Sequence, residues 1–403
     1  MTETRPTALY ISYDGMLEPL GQSQVIAYLE RLSDEFRFHL ISFEKRSDWD
    51  NARLRTSVSR RLEAAGISWH PLRYHKQPTA PATLFDIIQG TVLGSWLLVR
   101  HRIGLVHTRS YVAGLVGWII TRGNRARFLF DIRGFWADER TDGGLWPKDG
   151  RLYRVAKRAE RAMLLAADHI VTLTESSVPH LKNFPGVAER RAAPISVITT
   201  CADLERFAPG GAQQHGPFTL GYLGSVGTWY MFDELLECFL EIRRKVPDAR
   251  LLIVNRLDHD VVRQKLDAFD IDPGAVELVA VDHASVPDAI RRMTVGTAII
   301  RPVFSKLSSA PTKLAEYLGC GVPCLANHGV GDMASIIEDN RVGVALTDFS
   351  VEDRQRTIAR LFDLLASPGL AERCRDTAVR LFSLDRGVAA YRAIYRILLK
   401  SDE

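Results

Sequence analysis

Twelve short apolar runs alternate with helical patterns along the chain, and this rhythm restricts the fold more than any other feature. Six lie in the first half: Thr7–Ser12, Phe38–Phe43, Gly104–Thr108, Arg127–Ile132, His169–Thr174 and Ile195–Thr199. Six lie in the second: Phe218–Gly224, Ala249–Asn255, Val276–Val281, Val295–Pro302, Val322–Asn327 and Gly343–Thr347. Runs that are apolar on both faces and separated by helices predict parallel sheets covered on both sides. The expected fold class is α/β, with two doubly wound Rossmann-like domains. Ala208–Pro217 is rich in glycine, proline and polar residues and reads as a linker. The first domain then covers residues 1–207, the linker 208–217 and the second domain 218–380. Ligands of such sheets bind beyond the carboxyl ends of the strands. Two sheets facing each other would enclose a cleft, and residues at the strand ends become the site candidates.

Composition sets the class of partner. A length of 403 residues suits two or three domains. With 46% hydrophobic and 25% charged residues the balance is that of a globular enzyme. A net charge of +4 is too small to argue for nucleic acid, yet permits an anionic ligand or a membrane surface. The five cysteines are scattered without metal-ligand spacing and read as reduced, buried thiols. Asp270 and Asp272 read as surface charge. No metal and no cofactor are expected. Met1–Pro6 lacks an apolar signal core, and the apolar run near Ile87 to Val99 is shorter than the roughly 20 residues of a membrane span. A cytoplasmic location is expected.

The densest chemistry lies between Ser305 and Pro323. Pro311 suits a helix start, where backbone amides and the helix dipole attract an anion. Lys306 and Lys313 add charge, and Ser309 and Thr312 add hydroxyls. Thr312 and Lys313 share a helix face with Glu316. This set suits a ligand with phosphates at one end and sugar hydroxyls at the other. The turn Gly224-Ser225-Val-Gly227-Thr228 suits a phosphate, although its glycines do not follow the dinucleotide fingerprint. Trp229 and Tyr230 behind it either stack on a base or pack the helix. Arg256, after the next run, is either a phosphate contact or a surface arginine.

In the first half, the loop from Tyr13 to Gln24 holds Asp14, Gly21 and Gln22. Gly21 either lets amides approach a ligand or is an ordinary helix start. Asp131–Arg140 sets charge and aromatics over an apolar floor, as pockets do. There Arg133 would meet an anion, and Asp138 or Glu139 would meet acceptor hydroxyls; the alternative is an internal ion pair. Arg151, Arg154, Lys157, Arg158 and Arg161 recur at helical spacing, as a solvated face or as a contact for anionic lipid headgroups.

These stretches together resemble the GT-B glycosyltransferases of family 4. The likeness is carried by Tyr10–Asp14 with Pro19–Gln24, by Asp131-Ile-Arg-Gly134, and by Ala202-Asp-Leu-Glu-Arg-Phe-Ala-Pro209. The segment closing on Gly321-Val-Pro323 and the pattern Val388–Tyr395 complete it. The resemblance implies two Rossmann-like domains facing a cleft, with a helix over residues 381–403 crossing back to the first domain. It implies transfer of a sugar from a nucleotide-sugar, a co-substrate held by the second domain, to a saccharide or lipid-linked acceptor hydroxyl at the first. Such catalysis is retaining and metal-independent, with cations and amides stabilising the leaving diphosphate. Glu316 matches the second of that family's two glutamates, which holds the ribose, while Ser308 stands where it carries the first, a ligand of the sugar hydroxyls. Ser225 and Thr228 stand in the turn where it carries Arg and Lys, so the diphosphate charge would fall to Lys306 and Lys313. Arg133 stands where it carries a cleft histidine. Synthesis of a surface polysaccharide or glycolipid is the expected setting, in the cytoplasm or on the inner face of the membrane.

Three other readings compete. An inverting transferase would need a base, with Asp138 and Asp14 as candidates. An epimerase would act on the donor alone. A non-catalytic carbohydrate-binding protein would bind without turnover. A nicotinamide-dependent dehydrogenase is disfavoured, because neither half has the fingerprint glycines with a ribose-binding acid.

Overall fold

The computed structural model describes residues 5–187, 193–210 and 216–400. Two units separate, Met1–Thr199 with Leu384–Glu403, and Thr200–Ser383. The first is built on a parallel sheet of seven strands: β1 (Thr7–Ser12), β2 (Arg37–Glu44), β3 (Ser68–Arg73), β4 (Leu105–Arg109), β5 (Arg127–Asp131), β6 (His169–Thr172) and β7 (Ile195–Val197). Their order is β3-β2-β1-β4-β5-β6-β7. In this unit the apolar runs expected as strands appear as such, within two residues at their ends. β3 was not expected. It is a half-buried edge strand carrying Pro71; an edge tolerates the missing amide, and partial burial removes the apolar signature.

The helix Leu384–Lys400 belongs to this unit. It buries Val388, Tyr391, Ile394, Tyr395 and Leu398. Arg392 pairs with Asp34 at 3.0 Å and Arg396 with Glu35 at 2.6 Å, at the rim of the same helix.

The second unit holds six parallel strands: β8 (Thr219–Leu223), β9 (Arg250–Val254), β10 (Val276–Val279), β11 (Val295–Ala298), β12 (Cys324–Asn327) and β13 (Gly343–Leu346). Their order is β10-β9-β8-β11-β12-β13. Residues ahead of the expected linker are tied to this unit. Leu204 and Phe207 are buried in its core. The Arg375 guanidinium donates to the Leu204 carbonyl at 2.8 Å and the Phe207 carbonyl at 2.7 Å. Ala202 N donates to Phe382 O at 2.9 Å. The division therefore falls at Thr199/Thr200 rather than after Phe207. Of the expected linker, residues 211–215 lie outside the described residues.

Each sheet has one point where strand order reverses, between β1 and β4 and between β8 and β11. Helices leave to opposite faces there, which opens a crevice at the carboxyl ends of those strands. The sequence candidates cluster at these two points.

Candidate active site

In the second unit, the turn after β8 and the segment after β11 meet at the reversal point. Gly224 has φ of 133° and Gly227 of 154°, which a side chain at Gly224 would strain. The turn is held from β9: Asn255 Nδ2 donates to the Gly224 carbonyl at 2.9 Å, and Val226 N donates to Asp258 Oδ2 at 3.0 Å. Ser225 and Thr228 are exposed on it. Arg256, just beyond, is also exposed, with no hydrogen bond or ion pair among the described residues.

Across from this turn, a tight helical turn (Phe304–Ser308) leads into the helix Thr312–Gly319. Lys313 lies in that helix's first turn and is only 5% exposed. Its Nζ stands 3.9 Å from the Tyr230 ring centre and 4.9 Å from that of Tyr222. A Cβ placed on Gly224 would lie 3.1 Å from the same Nζ. The ammonium has no hydrogen-bond partner among the described residues. Burial brings its pKa down to about 7, partly offset by the nearby Glu316. Burial likewise pushes Glu316 up to about 7, against the pull of Lys313 and Arg206. A buried cation held by ring faces rather than by a carboxylate keeps its donors for a ligand.

Lys306, 7% exposed, sits 3.8 Å from the Trp229 ring centre. Trp229 and Tyr230 thus serve as platforms for the two lysines. Ser309 and Thr312 flank the helix start and are partly exposed. Ser308 is fully buried and donates to Ser305 O at 2.9 Å, closing its own turn. It offers nothing outward in place of a glutamate. The site thus gathers Gly224, Lys306, Lys313 and Glu316 tightly, with Ser225, Thr228, Ser309 and Thr312 at its edge. Sequence reading missed Asn255 and Asp258, which the fold brings to the turn, Tyr222, whose ring faces Lys313, and Arg206, near Glu316.

In the first unit, Arg109 at the end of β4 is buried and pairs with Asp14 after β1 at 3.2 Å. Gly21 is buried with helical φ, and a Cβ there would stand 2.1 Å from Gly15 O. Its smallness serves packing against the loop's own backbone. Gln22 Nε2 donates to Leu17 O at 3.3 Å and ties the same loop.

Asp131, fully buried at the end of β5, accepts from Tyr391 Oη at 2.8 Å and faces Arg133 at 3.7 Å. Burial opposes its charge, but Arg133, His107 and Arg109 hold its carboxyl below the usual range. Arg133 has φ of 57° and its side chain is 12% exposed.

Asp138 is a correction. It is buried, accepting from Tyr153 Oη at 2.8 Å and Lys157 Nζ at 2.9 Å. Lys157 also pairs with Glu160 at 2.7 Å. Asp138 therefore anchors the helix Arg151–Ala166 instead of presenting a carboxylate to acceptor hydroxyls. Lys157 is likewise turned inward, while Arg151, Arg154, Arg158 and Arg161 are exposed.

One strand-end group escaped the sequence reading. Past β3, His75 Nδ1 lies 2.6 Å from Asp86, a fully buried carboxylate that also accepts from Tyr13 Oη at 2.9 Å. Among the described residues no group of three or more His, Cys, Asp or Glu side chains is arranged to hold a metal ion. A notch of about 320 Å³ lined by Asn124, Arg125, Arg127 and Asp168 lies at the amino end of β5, the end such sheets do not use for ligands.

Residues 21–198 match the model of a glycosyl transferase 4-like domain. Comparison with curated proteins gives no match. Among solved structures, sucrose-phosphate synthase from Thermosynechococcus elongatus is similar with a TM-score of 0.74 at 14% identity, covering 99% of this chain and 100% of that one. Anabaena HepE in complex with UDP and glucose has a TM-score of 0.68 at 14% identity, covering 96% and 98%. The lipopolysaccharide outer core galactosyltransferase WaaB has a TM-score of 0.64 at 14% identity, covering 97% and 99%. Residues 21–198 thus match a glycosyl transferase 4-like domain, and nearly the whole chain shares its fold with these glycosyltransferases.

Proposed function

We propose that the protein moves a sugar from a nucleotide-sugar donor to an acceptor hydroxyl, with retention and without a metal ion, during synthesis of a surface polysaccharide or glycolipid. One observation carries this reading: the buried, unpartnered ammonium of Lys313, aimed at the Gly224 turn with Glu316 one helical turn on. Lys313, Lys306 and the amides at the Thr312–Gly319 helix start receive the diphosphate. Charge then meets the leaving group where it develops, inside a site already shaped for it. Glu316 accepts from the ribose hydroxyls, and Ser309, Thr312, Ser225 and Thr228 supply hydroxyls around the ligand. Arg256 contacts a phosphate from the β9 loop. Arg133 is the first-unit group proposed to meet an anion. HepE, which shares the fold, was solved with UDP and glucose, so uridine diphosphate sugars are tested first. WaaB acts on lipopolysaccharide outer core, which supports a saccharide or lipid-linked acceptor.

Thermal-shift screening against a nucleotide-sugar panel tests the reading. One donor should raise the melting temperature, by mass action on the native state, and Glu316→Ala should shrink that rise. No shift with any member would overturn it. Incubation with donor alone, without an acceptor, separates an epimerase, which would convert the donor.

One observation favours a second reading, inversion. Asp138 and Asp14 are engaged elsewhere, but His75, oriented by Asp86, has the form of a general base. The anomeric configuration of the product decides by NMR. Retention is expected, with His75→Ala changing turnover by less than about threefold, far below the 10²–10⁴ of a lost base.

A further inference from the structure

The helix Thr79–Arg100 presents a surface that its place in the fold does not require. Its inner face, including Ala82, Gly90, Gly94 and Leu97, is buried against the sheet and against the helix Ser110–Thr121. The outer face of such a helix is ordinarily polar. Here it carries Leu84, Phe85, Ile88, Val92, Trp96 and Val99, from 47% to 73% exposed. Spacings of three and four residues align them in one stripe. The apolar run read as too short for a span is thus part of a 22-residue helix that is long and apolar enough to cross a membrane. Its buried face, with the carboxylate of Asp86, fixes it in the layer over β1, β2 and β3 instead.

The charges around the stripe identify what covers it. Between Glu63 and Asp131 the chain has a single acidic residue, Asp86, and it is fully buried. The exposed charges over that stretch are Arg73, Lys76, Arg100, Arg102, Arg122 and Arg125, all cationic. A second copy docking through this face would set those cations against one another. A bilayer with anionic headgroups satisfies both features: side chains of the stripe enter the acyl boundary while the cations stay among the headgroups. The helix Arg151–Ala166, packed on the other side of Ser110–Thr121, extends the surface with exposed Leu152, Val155, Arg151 and Arg154.

We propose that the first unit docks onto anionic membrane surfaces through the outer face of the Thr79–Arg100 helix. This stands apart from the donor assignment. The test is co-sedimentation with vesicles of phosphatidylglycerol and phosphatidylcholine in equal parts, against phosphatidylcholine alone. The wild type should bind the mixed vesicles and lose binding as salt rises. Val92→Glu with Trp96→Glu should lower partitioning about tenfold or more. Arg100→Glu with Arg102→Glu should lower binding to the mixed vesicles by a similar factor and leave phosphatidylcholine unaffected. If the glutamate pair lowers the melting temperature, lipid-borne quenchers in the unaltered fold supply the readout. Quenching of tryptophan fluorescence should fall in Trp96→Phe, and equal quenching would overturn the proposal. A wild type that stays in solution with both vesicle types would also overturn it. So would a dimer that the glutamate pair turns into a monomer, which would assign this face to a second copy.

Discussion

Replacing Lys313 with methionine should weaken donor binding strongly and lower turnover by about 10²–10³, the cost of losing a charged donor at a site of developing charge, while the fold holds or gains stability. The two effects have one cause. Lys313 is held over the rings of Tyr230 and Tyr222 without a hydrogen-bond partner among the described residues. A pKa brought down to about 7 corresponds to a net penalty on the order of 4–5 kcal/mol on the charged form, after the offset from Glu316. Methionine fills the same space without that penalty, so the melting temperature should hold or rise. The pH dependence gives a second check. Between about pH 7 and the ordinary lysine range the unfolded chain binds a proton that the folded chain does not. Stability should therefore rise with pH through that window, and Lys313→Met should flatten the rise. Glu316, raised to about 7, has the opposite sign. Between the ordinary carboxylate range and pH 7 the folded chain holds the extra proton, so its contribution falls as pH rises. The combined contribution of the pair is least favourable near neutrality, where a diphosphate at Lys313 and ribose hydroxyls at Glu316 would relieve both penalties. Donor affinity in Glu316→Gln should fall about tenfold, the loss of one to two charge-assisted hydrogen bonds.

The second large effect lies in the first unit. Asp131→Asn should destabilise by about 3–5 kcal/mol, because it leaves Arg133 buried without its counter-charge. Asp131 is fully buried, faces Arg133 at 3.7 Å, and accepts from Tyr391 of the closing helix at 2.8 Å. The melting temperature of the unit should drop by about 10 °C. Tyr391→Phe removes one hydrogen bond to the carboxylate and should cost less, about 1–2 kcal/mol. Equal melting temperatures for Asp131→Asn and wild type would show that Arg133 is not held by this carboxylate.

What the sequence disclosed follows from how local each signal is. Parallel strands buried on both faces announce themselves as apolar runs, so twelve of the strands were legible. β3 was not, since an edge strand with Pro71 and half-buried side chains carries no such run. Lys313 and Glu316 were legible together because their relation is helical. The ring of Tyr222 was not: it lies some ninety residues before Lys313, and only the reversal of strand order beside β8 joins them. Asp138 misled for the same reason. A carboxylate at a strand end resembles a site residue until Tyr153 and Lys157 of the next helix arrive to occupy it. The run Ala202–Pro209 reads as the end of the first domain, but the carbonyl bonds from Arg375 that bind it to the second unit are invisible in sequence.

The central claim is that Lys313 receives the donor diphosphate. Titration calorimetry of the donor at about pH 8, in two buffers of different ionisation enthalpy, tests it directly. At that pH Glu316 is largely ionised already, so a diphosphate that restores the Lys313 proton should draw one from the buffer. Net proton uptake of roughly one per donor bound is expected in wild type, and no binding or no uptake in Lys313→Met. Tight donor binding with the same proton balance in both proteins would contradict it.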